Sequence, residues 1–428
     1  MNYQLSEEPF MAWSRGILDY AKLRVSWGKS GRQFESPYLA FGVLQPGGFN
    51  FGGNPTVFPV WYNGLINRDL TWEETKQWDA GFDLDFFNHR LGIVFDYYRR
   101  YTDKLLYINE LPGNYNGYAF QWQNAYAISN SGIELQIRAD LIRNDKLRWD
   151  LTINFAHNWN KLEKSNDGRD FINPQYVNNI SKVGKPLNGI YAYQDNGLYQ
   201  SQGDVPFTVD ENGIKKYLGY FNQLYRPGDR IIWDKDGNGQ IHSNPPLSED
   251  RVYCGSPLPV MQGGIISSLN WKGFDLNVLF SYSLGRHILN AGSTSIGTRI
   301  AMNPEEIASP IFAGVGDLNF WQKPGDRGCY PANRAESGLQ NFTPYLSSHV
   351  EKVNYIKLKT LTIGYTLPEN VRKAVGFSTR IFLSAENLFT ITNYSGNDPE
   401  SVDIVTGIDN YNNYPLSRKL TLGLTLNF

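Results

Sequence analysis

The last eleven residues, Arg418–Phe428, alternate without a break. Leu420, Leu422, Leu424, Leu426 and Phe428 fall on one side of an extended chain, and Thr421, Gly423, Thr425 and Asn427 on the other. Only a strand places side chains with a period of two, so this stretch is a strand with one wholly apolar face. The pattern runs to the final aromatic, without the polar tail that usually frays at the end of a water-soluble domain. Two settings fit such a strand. One is a half-buried strand of a soluble sandwich. The other is a transmembrane barrel strand, apolar toward lipid and small or polar toward the lumen. One strand alone does not choose between them.

The same alternation recurs along the chain. In Gln77–Phe87 the residues Trp78, Ala80, Phe82, Leu84 and Phe86 oppose a face holding Asp79, Asp83 and Asp85. A turn at Asn88-His89 leads to Leu91, Ile93, Phe95 and Tyr97 on one face of the next strand. Ile133–Leu141, a turn at Arg143-Asn144-Asp145 and Leu147–Phe155 repeat the arrangement. Val260–Trp271 and Phe274–Arg286 are joined by Lys272-Gly273 alone. Ala21–Gly28 is a further strand, and Thr379–Thr390 follows a turn through Pro368–Gly376. Tyr355–Leu367 is a strand whose halves disagree. Ile356 and Leu358 share one parity and Leu361, Ile363 and Tyr365 the other, which predicts a bulge or a change of surroundings.

Between these pairs lie long connections, near 30–73, 161–258 and 288–349. A medium loop over Leu105–Asn124 and a further loop before the terminal strand complete the series. Short and long connections alternate strictly. Transmembrane barrels have this asymmetry, with short periplasmic turns and long extracellular loops, whereas a sandwich has no reason to keep its long loops on one side. Counting Met1–Glu8, the sequence predicts an all-β, antiparallel portion of a transmembrane barrel with about 11 strands.

Composition agrees. Aromatic residues make up 14% of the 428 residues, with 27 Tyr and 11 Trp, as barrels with aromatic girdles require. A net charge of −2 offers no basic footprint for nucleic acid. No apolar run reaches the roughly 18 residues of a transmembrane helix. The mean hydropathy of −0.43 does not oppose a barrel, because alternating strands average out. Cys254 and Cys329 stand far apart in loop-like sequence, compatible with a disulfide in an oxidising compartment or with two thiols. Met1–Glu8 has no basic region followed by an apolar one, so no signal peptide is read there.

One motif carries metal chemistry. Asp234-Lys235-Asp236-Gly237-Asn238-Gly239-Gln240 fits the first half of a calcium loop, with Asp234, Asp236, Asn238 and the Gln240 carbonyl as candidate ligands. The twelfth position is Pro245 where a glutamate is expected, and Glu249, Asp250 or Asp229 would have to substitute. The alternative is a polar turn without metal. Tyr115, Tyr118, Phe120 and Trp122 crowd one loop, and Trp61 and Tyr62 another. Stacked on sugar rings or peptide side chains they would contact substrate. Packing within the loops or against a partner explains them more simply. Asp79, Asp83, Asp85, Glu134 and Asp140 recur beside Arg100 and Arg138, as a solvated, charge-paired lumen predicts. The five His residues have no ligand spacing, and there is no nucleophile elbow or phosphate loop, so the chain is not read as an enzyme.

Particular words then become recognisable. They are Leu23–Gly31, Leu70–Gly81, Asp96-Tyr97-Tyr98 with Thr102–Leu106, and Asn130–Glu134. Later come Tyr355–Lys359 with Leu361–Pro368, Glu386-Asn387-Leu388, Asp398-Pro399-Glu400 and the terminal strand. In this order and spacing they resemble the C-terminal barrel portion of SusC/RagA-type TonB-dependent outer-membrane transporters, over essentially the whole chain. The resemblance implies half of a 22-stranded barrel, a class whose lumen is closed by a plug. It implies import of oligosaccharides or peptides, driven by TonB–ExbB–ExbD through the plug. It also implies a SusD-like lipoprotein as the extracellular lid, and it strengthens the expectation of Ca2+ at the Asp/Asn loop. Phe428 resembles the C-terminal signal read by the barrel-assembly machinery. The chain shows no plug domain or TonB box, and Gln4–Phe10 resembles an interior strand of the family, so a truncated or split gene product is expected that does not transport alone. A surface binding or adhesion barrel is the alternative.

Overall fold

A computed structural model describes residues 1–14, 16–33, 44–52, 54–59, 64–111, 118, 120–168, 170–172, 179–209, 211–217, 219–220, 223–237, 240–241, 250–292, 319–328, 330–332, 345–410 and 413–428. The chain divides into two compact units. The first comprises Met1–Phe171, Ser181–Leu187 and Gly263–Lys272, and the second Ile172–Ile180, Asn188–Gln262 and Gly273–Phe428. No described helix is long and apolar enough to cross a membrane.

The first unit is an antiparallel sheet. Its strands are β1 (Asn2–Gln4), β2 (Leu18–Arg32), β3 (Glu73–Phe86), β4 (Leu91–Glu110), β5 (Phe120–Arg143), β6 (Leu147–Lys164) and β7 (Met261–Trp271), and they neighbour one another in this order. Each alternates, and the register aligns the alternation across strands. Leu23 pairs with Phe82, Phe82 with Phe95, Phe95 with Leu135 and Leu135 with Phe155, giving an apolar row. Two residues along, Val25, Ala80, Tyr97, Ile133 and His157 form the next row of that face. Trp27, Trp78, Arg99, Ser131 and Trp159 form a third. Directly opposed residues share a face, so the residues between these rows line the reverse face. From Leu18 to Trp27 the chain advances about 30 Å along β2, or about 23 Å across a bilayer at a tilt near 40°. The tryptophans therefore mark the interface on the side of the long connections. Trp149 and Trp271 stand near the short turns, where Trp149 Nε1 donates to Ser267 Oγ at 3.0 Å.

The turns follow from their residues. Phe87, Asn88 and His89 take φ of 56–59°, and Lys272 and Gly273 take 47° and 88°. These left-handed values suit tight hairpin turns, and Asn and Gly adopt them most readily. At the turn after Arg143, Asn144 Oδ1 accepts from the backbone N–H groups of Lys146 and Leu147.

The second unit contains β8 (Phe274–Asn290), β9 (Val350–Thr366), β10 (Ser378–Glu386) and β11 (Lys419–Asn427), in that order in its sheet. The disagreement between the halves of Tyr355–Leu367 is a bulge. Leu279 pairs with Thr360 but Phe280 with Leu358, leaving Lys359 as the extra residue of β9. The slip returns Ile356 and Leu358 to the face of Leu361 and Ile363, so both halves present apolar residues to one side. The turn expected through Pro368–Gly376 holds a short helix, α1 (Glu369–Val375), ended by Gly376 at φ 83°.

Two elements differ from expectation. Of Met1–Glu8 and Gln4–Phe10, read as strand, only Asn2–Gln4 is extended, and Leu5–Glu7 and Pro9–Ser14 are short 3-10 helices. The loop read over Leu105–Asn124 is mostly strand, since β4 continues to Glu110 and β5 starts at Phe120, with Ile108 paired to Trp122. Register slips between Thr102, Leu105 and Leu106 hide this continuation, because they break the phase of the alternation.

Within the second unit, residues of the long 165–260 connection fold as a small water-facing body. Gly189–Tyr193 is buried along its length and pairs with Arg251–Gly255. Its core joins Tyr193, Tyr199, Val205, Tyr225, Ile232 and Leu346.

Candidate functional site

The reverse face of the first unit is polar and paired. Arg24, on β2, reaches across two strands. Its Nε donates to Asp83 Oδ1 at 3.0 Å and its Nη2 to Asp96 Oδ2 at 2.9 Å. Close approach at this level needs Gly81, where a Cβ would lie 2.1 Å from Asp96 Oδ1. One row along, the Tyr98 hydroxyl donates to Asn158 Oδ1 at 3.1 Å and sits over Gly132. Asn160 donates to Asn130 at 2.7 Å and Gln136 to Asn154 at 3.0 Å. Arg138 lies 3.5 Å from Asp85, and Arg143 lies 3.7 Å from Asp140. Arg100 donates to Gln77 at 3.1 Å. Glu134 stands opposite Asp96, and Asp79 opposite Tyr98. The face presents amides, a phenol and paired charges. The alternation located this face, but Arg24 as its bridging cation was not read from sequence, since its partners stand 59 and 72 residues away.

In the second unit the Arg380 guanidinium pairs with Asp275 and lies over the ring of Phe382, which in turn covers Gly423. Further along β9, Lys357 is almost fully buried. Its ammonium contacts Asp398 at 2.8 Å and Glu400 at 2.9 Å, while Lys359 contacts Glu400 at 2.7 Å. Arg286 donates to the carbonyls of Pro399, Val402 and Asp403. The connection before β11 is thereby laced onto β8 and β9. The Asp398-Pro399-Glu400 word was visible in the sequence, and its partners Lys357 and Arg286 were not.

The aromatic residues proposed for substrate fall as follows. Phe120 and Trp122 are on β5 and Tyr118 just before it, while Tyr115 lies outside the described residues, as do Trp61 and Tyr62. The Leu65 N–H donates to the Phe120 carbonyl at 2.7 Å and Asn67 Nδ2 to the Trp122 carbonyl at 2.8 Å. The Phe120 ring closes over Gly64.

At the calcium-like motif, Asp234, Asp236 and Asp250 each bring a carboxylate oxygen within 4.8 Å of the others. Asp234 Oδ1 accepts from Gly237 N at 2.8 Å, and Asp250 Oδ1 from Lys235 N at 3.0 Å. Burial pushes the Asp250 carboxyl above the usual carboxylate range. The Lys235 N–H opposes this, and the neighbouring Asp236 and Asp234 charges add to it. Of the substitutes for the missing glutamate, Asp250 joins the group. Asp229 instead accepts from the Arg226 N–H. Asn238 and Glu249 lie outside the described residues, and of Gln240 only the backbone, in a two-residue strand, is described. Cys254 carries a free thiol, and Cys329 lies outside the described residues. Phe428 is exposed, its ring 5.2 Å from that of Phe377.

The family model described as "TonB dependent receptor-like, beta-barrel" matches residues 3–243. TonB-dependent receptor P3 of Formosa agariphila is 31% identical over 443 residues, a match covering 100% of this chain and 41% of the relative. TonB-dependent receptor SusC of Bacteroides thetaiotaomicron is 27% identical over 448 residues, covering 100% and 39%. A solved structure of the RagAB peptide transporter superposes with a TM-score of 0.71 at 21% identity, covering 100% of this chain and 43% of that one, a likeness of fold. The chain spans about two fifths of the length of the relatives it matches. These relatives are receptors and not enzymes, and they place the chain in the outer membrane. With one face of its strands apolar and the other charge-paired, the chain belongs to the TonB-dependent receptor-like β-barrel family.

Proposed function

We propose that the protein imports oligosaccharides or peptides across the outer membrane by TonB-dependent transport, this chain supplying the C-terminal part of the barrel. The observation that carries the reading is the two-sided sheet of the first unit. Its reverse face is a ladder of Arg24, Asp83, Asp96, Tyr98 and asparagines, suited to passing polar solutes. Such groups exchange hydrogen bonds with sugar hydroxyls or peptide amides at little net cost. Tyr115, Tyr118, Phe120 and Trp122 add aromatic surface for stacking. The partners are a SusD-like lipoprotein on the extracellular side, TonB–ExbB–ExbD acting through a plug, and the barrel-assembly machinery engaging Phe428. A calcium ion held by Asp234, Asp236 and Asp250, with Asn238 and the Gln240 carbonyl, fixes the 165–260 connection, since oxygen ligands at this spacing suit a hard cation.

The test is uptake of labelled oligosaccharide and peptide pools by cells with and without the gene. Loss of uptake of one pool on deletion, and equally on removal of TonB, is the expected result. Unchanged uptake with lost surface adhesion would instead support an adhesion barrel. For the cation, a chelator should raise protease cleavage within residues 179–260 and added calcium should reverse it. Identical cleavage with and without chelator would remove the ion from the account.

A further inference from the structure

Beyond the tryptophan row of the first unit lies a level of different chemistry. Lys29 pairs with Lys76, Lys76 with Tyr101, Tyr101 with Ser129 and Ser129 with Lys161. These residues have the parity of Trp27, Trp78 and Trp159 and share their face. Arg99 belongs to the tryptophan row itself and is exposed, as is Lys76. Three cations of one row and a fourth among the tryptophans thus stand on the lipid-facing side, on the end of the long connections. In a bilayer the aromatic belt sits at the headgroup boundary, so the level immediately beyond it meets the headgroups. The outer leaflet of an outer membrane presents phosphorylated glycolipid there. We infer that Lys29, Lys76, Arg99 and Lys161 form a docking surface for the phosphate groups of an outer-leaflet glycolipid.

Charge accounting supports this occupant. Lys29 and Lys104 lie 2.8 and 2.9 Å from Glu74, Lys161 lies 3.0 Å from Glu163, and Lys164 lies 3.6 Å from Asp103. With Lys76 and Arg99, six cations face three carboxylates, so the patch keeps positive charge after its own pairs are formed. Those pairs are solvated, so each holds its ammonium group only weakly. A phosphate, with up to two negative charges and three acceptor oxygens, competes for the same ammonium groups. Arg99 can meet it with two parallel N–H donors. The exposed indole of Trp27 below the cations suits the apolar base of the same lipid. The surface rests on the outer-membrane setting and not on what is transported.

The test uses the protein extracted from outer membranes in mild detergent, with co-purified phosphorylated glycolipid measured per polypeptide. The triple variant K76Q/R99Q/K161Q should retain about tenfold less than wild type. E74Q, which removes a competing carboxylate, should retain more. R372Q/K373Q on α1 removes exposed charge elsewhere and should leave retention unchanged. Wild-type retention by a triple variant that keeps its heat-modifiable mobility would overturn the inference. Should that variant fail to assemble, wild type is delipidated and melted with phosphorylated or enzymatically dephosphorylated glycolipid. Stabilisation by the phosphorylated form alone supports the surface, and equal stabilisation by both overturns it.

Discussion

The long strands and the small body folded from residues 179–260 use the same alphabet in opposite senses. On β11, Leu422 is 77% exposed and Leu420 70%, while on β9 Lys357 is 2% exposed. In the folded connection Ile190 is 0% exposed, as is Leu346, which packs into its core from the 288–349 connection, and Asp236 and Lys215 are outside. The terminal strand turns its leucines outward, whereas the connection packs its apolar core inside and buries Asp229, Asp250 and Arg251 only with hydrogen-bond or cation–π partners. Burial is therefore no universal guide to which residue stabilises. The solvent decides, and the exposed leucines meet lipid.

Substitutions that separate the two solvents break or sharpen this comparison. The largest effect is expected in the water-facing body. Leu346→Ala should cost about 2–5 kcal/mol through lost burial and a cavity. The cost is read by urea titration of protease resistance within 188–262, with the heat-modifiable mobility of the strands preserved. Leu422→Arg comes next, with a penalty of about 2–4 kcal/mol for folding into lipid vesicles. The same change at exposed Val209, in the water-facing hairpin of Phe207–Val209 and Lys215–Tyr217, should stay within about 0.5 kcal/mol. Equal costs at the two positions would erase the distinction. Gly423→Ala on the reverse face places a Cβ 2.2 Å from the Phe382 ring and should cost about 1–3 kcal/mol by unfolding in the same vesicles. The smallest effect at neutral pH concerns Tyr199. Burial, and then the Asp229 charge, pushes its hydroxyl up to about 12 from the usual 10. A raised value favours the protonated form, so this contribution is complete below pH 10 and is lost as pH rises through 12. Protease resistance of the body should fall over that window, and Tyr199→Phe should shift the fall to higher pH.

The strands were legible because lipid on one side and water on the other impose a strict period of two. Gln77–Phe86 and Leu420–Phe428 declare their faces without help, and the parity change in Tyr355–Leu367 announced the bulge at Lys359. Legibility failed where the period is interrupted. Lys104, at φ 57° between slips in register, hid the extension of β4 to Glu110. It failed again in the folded connection, where Gly189–Tyr193 is buried on both faces and, apart from its partner Arg251–Gly255, the described strands have two to four residues, too short to show a period. Side-chain networks followed the same division. The polar faces were visible, but the reach of Arg24 to Asp96 and of Lys357 to Asp398 depends on pairings distant in sequence. The acidic motif was legible as a loop, and the fold chose Asp250 to join Asp234 and Asp236.

The central claim is that alternate residues of one strand meet lipid and water. Its most direct test is a scan of single spin labels along residues 420–425 of β11, in protein whose Cys254 and Cys329 are replaced by Ser and which is embedded in vesicles. Labels at 420, 422 and 424 should collide preferentially with oxygen, which partitions into lipid. Labels at 421, 423 and 425 should collide preferentially with a water-soluble nickel complex. Collision rates without a period of two, or with the opposite phase, would contradict the account.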